Sequence, residues 1–215
     1  MTTQQGNRVA PRRWSGELRE WVHGLVQRQA KLHAEGAELL RELDLIGLLS
    51  ETGPVLLAGS FVSGLMTWRE LDVMVLVSAR FMPVDVMRLI QRVIELPGVV
   101  RFEYQDERGL RCPTEHVRDE RYHVEIGVDR PAGEWCIDLS LWLHDAHQNV
   151  ASWHEELRDS VTPRQRESIL AIKDAQRRSP DYPGGLPIYT AVLEHGVRSP
   201  EEFERWLAAG QPPPG

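Results

Sequence analysis

Residues 70–77 constrain the fold more than any other stretch, because they read as a β-strand with two chemically different faces. Side chains two positions apart on a strand lie on the same face of the sheet. Glu70 and Asp72 therefore share one face. The opposite face is apolar throughout and is made by Leu71, Val73, Val75 and Val77. We expect the apolar face to be buried, and we expect a cation between the two carboxylates, because they would otherwise repel each other.

A Gly-Ser pair, Gly59 and Ser60, follows the short apolar stretch 54–58 and precedes the acidic strand. The apolar stretch predicts a strand and the pair predicts a turn. Glycine permits a backbone conformation or a close approach that a side chain would block. Backbone N–H groups at the start of a following helical turn would form an anion site. A Gly-Ser pair alone is more typical of an ordinary turn than of an anion site.

A third carboxylate, Asp138, interrupts the predicted strand 135–143. The core face of that strand carries Ile137, Leu139, Leu141 and Leu143. An aspartate inside such a strand is costly unless it is paired, bound to a metal or open to a cleft. If the two acidic strands are neighbours, the three carboxylates converge. Oxygen ligands of this kind bind Mg2+ together with substrate phosphates.

Composition limits the class of protein. The chain has 215 residues, of which 41% are hydrophobic and 27% charged, as in an ordinary soluble domain. It has no apolar run of about 18 residues and no secretory signal, so we expect a cytoplasmic protein with no membrane partner and a disordered start over residues 1–13. Neither cysteine has a zinc-ligand spacing. The net charge of -7 argues against nucleic acid as a partner, because phosphate backbones select basic surfaces. No pattern predicts the oligomeric state.

The remaining periodicity predicts helices and further strands. Alternation predicts strands over residues 99–106 and 122–128. Helical spacing and capping residues predict helices over residues 14–43 (as one helix or two), 44–50, 83–96, 164–177, 186–195 and 199–207.

The order apolar-Gly-Ser, nine residues (61–69), then acid-apolar-acid-apolar resembles the signature of the nucleotidyltransferase superfamily related to DNA polymerase beta. Its small bacterial branch, which includes antibiotic-modifying enzymes, looks closest. The resemblance implies an α+β fold: a nucleotidyltransferase-type mixed β-sheet with flanking helices plus a C-terminal helical region. It would place a nucleotidyltransferase domain with a leading helix over residues 14–145 and the helical region over residues 146–215.

The resemblance also implies roles for individual residues. Gly59 and Ser60 would position nucleotide phosphates, while Glu70, Asp72 and Asp138 would bind Mg2+ and form the catalytic site. Lys173 is similar to a helix lysine that reaches the triphosphate in relatives, although a surface lysine is an equal alternative.

Some assignments stay open at the level of sequence. Glu70 stands where the family usually has aspartate. In a second register, Asp72 would be the first acid and Met74 the second, and methionine is a poor ligand for Mg2+. Glu125 could replace Asp138 as the third ligand or act as a general base. Trp135 and Trp142 are candidates for an acceptor pocket or for core packing.

The sequence therefore predicts a metal-dependent nucleotidyltransferase. It would move a nucleoside monophosphate, AMP from ATP being favoured, onto a hydroxyl of a small-molecule acceptor, with an aminoglycoside-like antibiotic as one candidate. The alternative is a catalytically silent nucleotide-binding or interaction protein on the same fold.

Overall fold

The computed structural model describes residues 16–114, 116–144, 147–177 and 179–210. The predicted disorder of residues 1–13 lies outside the described residues. Within the described ranges, no helix is long and apolar enough to cross a membrane.

Helices and strands alternate irregularly along the chain. The helices are α1 (Gly16–Glu42), α2 (Leu45–Ser50), α3 (Gly59–Ser63), α4 (Pro83–Val93), α5 (His147–Ser160), α6 (Pro163–Gln176), α7 (Gly185–Leu193) and α8 (Pro200–Ala208). The strands are β1 (Val55–Ala58), β2 (Glu70–Leu76), β3 (Val99–Glu107), β4 (Arg121–Val128) and β5 (Trp135–Trp142). The region that the sequence left as one helix or two is a single helix of 27 residues.

The five strands form one mixed sheet in the order β1-β2-β5-β4-β3. The β2–β5 pair is parallel, and the other pairs are antiparallel. In the β2–β5 register, Asp72 lies directly opposite Asp138. The predicted α+β fold class is therefore confirmed. The two acidic strands are neighbours, which meets the condition under which the three carboxylates converge.

One face of this sheet is buried under helices. Leu71, Val73 and Leu139 are completely buried there, and they belong to a core cluster that also contains apolar side chains of α1, α2 and α4. Burial of a leucine or valine side chain contributes about 1.5–3 kcal/mol. The apolar face therefore supplies most of the packing that fixes the strand register, since a slip by one residue would expose it.

The C-terminal helices form a second cluster that reaches back to the acidic strand. Leu65, from the segment just before β2, is completely buried among side chains of α5 to α8. Arg166 of α6 donates from Nη1 to the Gly64 carbonyl at 2.6 Å. At the start of α6, Thr162 and Gln165 cap the helix through reciprocal side-chain to backbone hydrogen bonds. These contacts fix α6 against the segment that joins α3 to β2.

Candidate active site

The Gly-Ser turn and the acidic strand are in direct contact. Gly59 has a φ of 64°, and a Cβ added there would lie 1.7 Å from Oδ2 of Asp72. The backbone N–H of Ser60 donates a hydrogen bond to the Asp72 carboxylate. A side chain at position 59 would therefore displace that carboxylate. The close approach, together with the left-handed backbone, explains why glycine stands here.

A cavity of about 590 Å³ opens above this turn and will be called the main pocket. It lies between the Gly-Ser turn, the first half of β2 and helices α5, α6 and α7. The lining residues are Gly59, Ser60, Trp68, Glu70, Asp72, Val150, Trp153, His154, Lys173, Tyr182, Gly185, Leu186 and Tyr189. Both members of the predicted acidic pair thus face one pocket together with the Gly-Ser turn.

The carboxylates of the site lie where their negative charge is disfavoured. Burial raises the pKa of Asp72 to about 7, with further contributions from the nearby charges of Glu70 and Asp138. The pKa of Glu70 is also raised, chiefly by burial, although its hydrogen bond from Trp68 opposes the shift. Groups of this kind favour a bound cation, since it removes the repulsion that destabilises the ionised form.

The donor chemistry of Glu70, Asp72 and Asp138 fits Mg2+, which prefers carboxylate oxygens. Among the described residues, however, no group of three or more His, Cys, Asp or Glu side chains is already arranged to hold a metal ion. Asp138 lies next to Asp72 in the sheet, but its Oδ1 is 2.9 Å from Nε2 of His123. That contact raises the pKa of His123.

Met74, the second position in the alternative register, lies outside the main pocket. Its side chain is buried in a small apolar cluster with Ala58 and Trp142. The pocket is lined by Glu70 and Asp72 instead. This placement favours the register in which these two acids form the pair.

Lys173 is buried, so the alternative of a surface lysine is wrong. Its Nζ donates to the Leu65 carbonyl at 2.9 Å and lies 4.9 Å from the ring centroid of Trp68 and 5.9 Å from that of Tyr189. Burial lowers the pKa of Lys173 to about 8, while the charges of Glu70 and Asp72 oppose that shift. A cation is therefore built into the wall of the main pocket.

Several pocket residues were missed at the level of sequence. The indole N–H of Trp68 donates to Oε2 of Glu70 at 2.7 Å, and Tyr182 packs edge-on against the Trp68 ring at 5.5 Å. The one available signal was spacing, because Trp68 lies two residues before Glu70. Trp135, considered for an acceptor pocket, is a core residue with 2% of its surface exposed.

Glu125 lies opposite Asp138 in the β4–β5 register. Its side chain is 40% exposed and lies 3.8 Å from Nη1 of Arg101. Neither Glu125 nor Asp138 lines the main pocket, and the charges of both raise the pKa of Glu70. Asp138 is the one of the two that lies directly beside Asp72 in the sheet.

No family model matches the chain, and no curated protein matches it. Solved structures do. The chain is similar to Cid1, an RNA terminal uridylyl transferase, with a TM-score of 0.56 and 15% identity over 83% of this chain and 53% of that one. It is similar to a cytoplasmic RNA terminal U-transferase, with a TM-score of 0.54 and 13% identity over 83% of this chain and 51% of that one. Cid1 bound to the UTP analogue UMPNPP gives a TM-score of 0.51 and 14% identity over 86% and 58% of the respective chains.

The chain thus spans about half the length of the structures it matches. The prediction of a small-molecule acceptor, with nucleic acid disfavoured as a partner, is wrong, since the similar proteins are transferases that act on RNA. The antibiotic-modifying branch has no support among them. The similarity shows that this chain has the fold of these transferases, a nucleotidyltransferase-type mixed sheet with flanking helices.

Proposed function

We propose that this protein is a metal-dependent nucleotidyltransferase that moves a nucleoside monophosphate from a nucleoside triphosphate onto the terminal hydroxyl of an RNA acceptor. The observation that carries the proposal is the contact between Gly59 and Asp72 at the base of a pocket that also contains Glu70 and Lys173. An anion-binding turn, paired carboxylates and a buried cation are what phosphoryl transfer requires, because positioning and charge neutralisation supply most of its catalysis. The similar solved transferases support the reaction type and the class of acceptor.

In this reaction the acceptor hydroxyl oxygen bonds to the α-phosphorus, the bond from that phosphorus to the bridging oxygen breaks, and pyrophosphate leaves. Glu70, Asp72 and Asp138 would hold Mg2+, which when bound offsets charge on the attacking and leaving oxygens. Backbone N–H groups of the Gly-Ser turn would bind the triphosphate. The Asp138 carboxylate lies beside Asp72 and is the group proposed to accept the proton of the acceptor hydroxyl.

The aromatic wall of the main pocket suits a nucleobase. Trp68, Tyr182 and Tyr189 are among its lining residues, and a volume of about 590 Å³ is typical of a site for a small ligand. Aromatic rings stack on any base, so this wall supplies affinity without fixing whether ATP or UTP is the donor. Lys173 would contribute a positive charge near the phosphates.

A catalytically silent nucleotide-binding protein is the second candidate. It is favoured by the hydrogen bond between His123 and Asp138, which occupies an oxygen of the third acid. It is also favoured by Glu70, whose side chain is one methylene longer than the usual aspartate.

Two measurements test and separate these functions. In a thermal-shift experiment, ATP or UTP should raise the Tm only when Mg2+ is present, and the absence of any shift would count against both candidates. An α-labelled nucleotide incubated with a short RNA should then extend the RNA and release pyrophosphate. Extension by the wild type and its loss in Glu70→Gln would support the enzyme, whereas nucleotide binding without extension would leave the silent protein.

A further inference from the structure

We propose that a second pocket, on the other side of Trp68 from the acids, binds a phosphate group of the acceptor strand; this rests on the proposed function and deepens it. The pocket has a volume of about 370 Å³ and will be called the α1 pocket. It is lined by Arg28 and Lys31 of α1, by Thr67, Trp68 and Arg69, and by Arg177 at the end of α6, among others.

The position of the α1 pocket connects it to the reaction. Trp68 lines both pockets, and its indole N–H holds Glu70. Arg69, which lines only the α1 pocket, directly precedes Glu70 in the chain. An RNA strand whose terminal hydroxyl lies at the carboxylates of Glu70 and Asp72 must continue out of the main pocket. The α1 pocket, which shares Trp68 with the main pocket, is a positively charged site along such a path.

The charge of the α1 pocket is opposite to that of the whole chain. Four cationic side chains line it, in a protein with a net charge of -7. Glu35 is shared, since it lies 3.1 Å from Arg69 and 3.8 Å from Lys31. Glu134 also lines the pocket but is bound to Arg101 at 2.9 Å.

Of the other two cations in the pocket lining, Arg28 is paired and Arg177 adds to the positive excess that the shared Glu35 leaves. Arg28 pairs with Asp174. Arg177 donates to the Thr67 carbonyl at 3.4 Å, and within the part of the chain that the structure describes it has no acidic partner. A clustered set of arginines and lysines with incomplete pairing is typical of a site for a phosphate group.

Two buried polar atoms at the α1 pocket have no hydrogen-bond partner among the described residues. They are Oγ1 of Thr67, a residue that is only 2% exposed, and Nε of Arg28. A buried donor without a partner is unfavourable, so such groups are rare in folded proteins. Both are donors that a phosphate oxygen could accept from. A phosphate is therefore favoured over a cationic or apolar ligand.

The phosphate could belong to the acceptor strand or to a small anion such as the pyrophosphate product, and a charge-reversal experiment distinguishes them. Lys31→Glu is compared with Arg41→Glu, which lies on the same helix. The two side chains are 74% and 72% exposed, and each lies 3.8 Å from one glutamate. Binding of a short fluorescent RNA is measured by anisotropy at several salt concentrations, and binding of pyrophosphate by thermal shift.

We expect Lys31→Glu to weaken RNA binding about tenfold relative to Arg41→Glu. The slope of log affinity against log salt concentration should also fall by about one, which corresponds to one ion fewer released on binding. Arg177→Ala, compared with Arg164→Ala at the opposite end of α6, should act in the same direction. If only pyrophosphate binding is weakened, the pocket takes the small anion and the assignment to the acceptor strand is overturned. If neither ligand distinguishes Lys31→Glu from Arg41→Glu, or the wild type binds neither, the phosphate site itself is overturned.

Failure of the proposed function would give a different result. The wild type would then show neither nucleotide transfer nor Mg2+-dependent nucleotide binding. The α1 pocket is tested separately, because RNA and pyrophosphate binding are measured without nucleoside triphosphate. Lys31→Glu should also leave the thermal shift by nucleotide and Mg2+ unchanged, since Lys31 lies outside the main pocket.

Discussion

The two faces of β2 differ in every physical respect although they share one backbone. On one face Leu71 and Val73 are completely buried against the core. On the other, Glu70 and Asp72 line a pocket and carry raised pKa values. The buried face stabilises the fold, while the acidic face stores repulsion that lowers stability. The contrast indicates that the acidic face is retained for chemistry rather than for folding.

The largest expected effect is on activity when the acidic face is neutralised. Asp72→Asn and Glu70→Gln should each lower the rate of nucleotide transfer by about a thousandfold, because each removes a carboxylate proposed to hold the Mg2+ that would offset charge in the reaction. The rate is measured with labelled nucleotide and RNA. Met74→Leu, a substitution that conserves volume, is the control and should stay active. Full activity in Glu70→Gln with none in Asp72→Asn would favour the other register.

On the apolar face, the expected effect is on stability. Leu139→Ala should lower the free energy of unfolding by about 2–5 kcal/mol, because Leu139 is completely buried and alanine leaves a cavity. Urea unfolding measures the change. Asp138→Asn, one residue away on the opposite face, should change the unfolding free energy by less. An equal loss of unfolding free energy in both variants would show that the two faces of the sheet contribute equally to stability.

A smaller effect concerns the stability cost of the acidic face. The pKa of Asp72 is about 7 in the folded protein, above its ordinary value of 3.8, so its contribution to stability is lost as pH rises towards 7. Asp72→Asn removes this loss. Its Tm should exceed that of the wild type by a few degrees at pH 8, and the difference should shrink towards pH 4. Calorimetry at several pH values checks this. A Tm difference between Asp72→Asn and the wild type that does not change with pH would show that ionisation of Asp72 does not destabilise the fold.

The smallest effect is on metal binding. Asp72 must lose its proton to bind a cation, so the apparent affinity for Mg2+ should fall about tenfold for each pH unit below 7. Thermal shifts with nucleotide at increasing Mg2+ concentrations measure this affinity. An affinity that does not change between pH 6 and pH 8 would mean that Asp72 is already ionised in the free protein.

Local patterns in the sequence predicted much of the fold. Alternation at residues 70–77 identified both faces of β2, and the isolated Asp138 identified a second strand with a polar face, since these features depend on spacing along one segment. The pairing of the two strands stayed open, because it depends on the whole sheet. The burial of Lys173 could not be predicted in this way, because it depends on α6 packing against Trp68 and Leu65 from a distant part of the chain. The net charge misled for a related reason: it sums over the chain and hides the cations that the fold gathers around Thr67.

The contact between Gly59 and Asp72 also ties two separate positions of the sequence to each other. A side chain at position 59 would overlap the Asp72 carboxylate where it now lies, so any replacement of Gly59 shifts that carboxylate. A change at either position therefore removes or displaces the same negative charge at the base of the main pocket. A lineage that keeps this chemistry keeps both residues together.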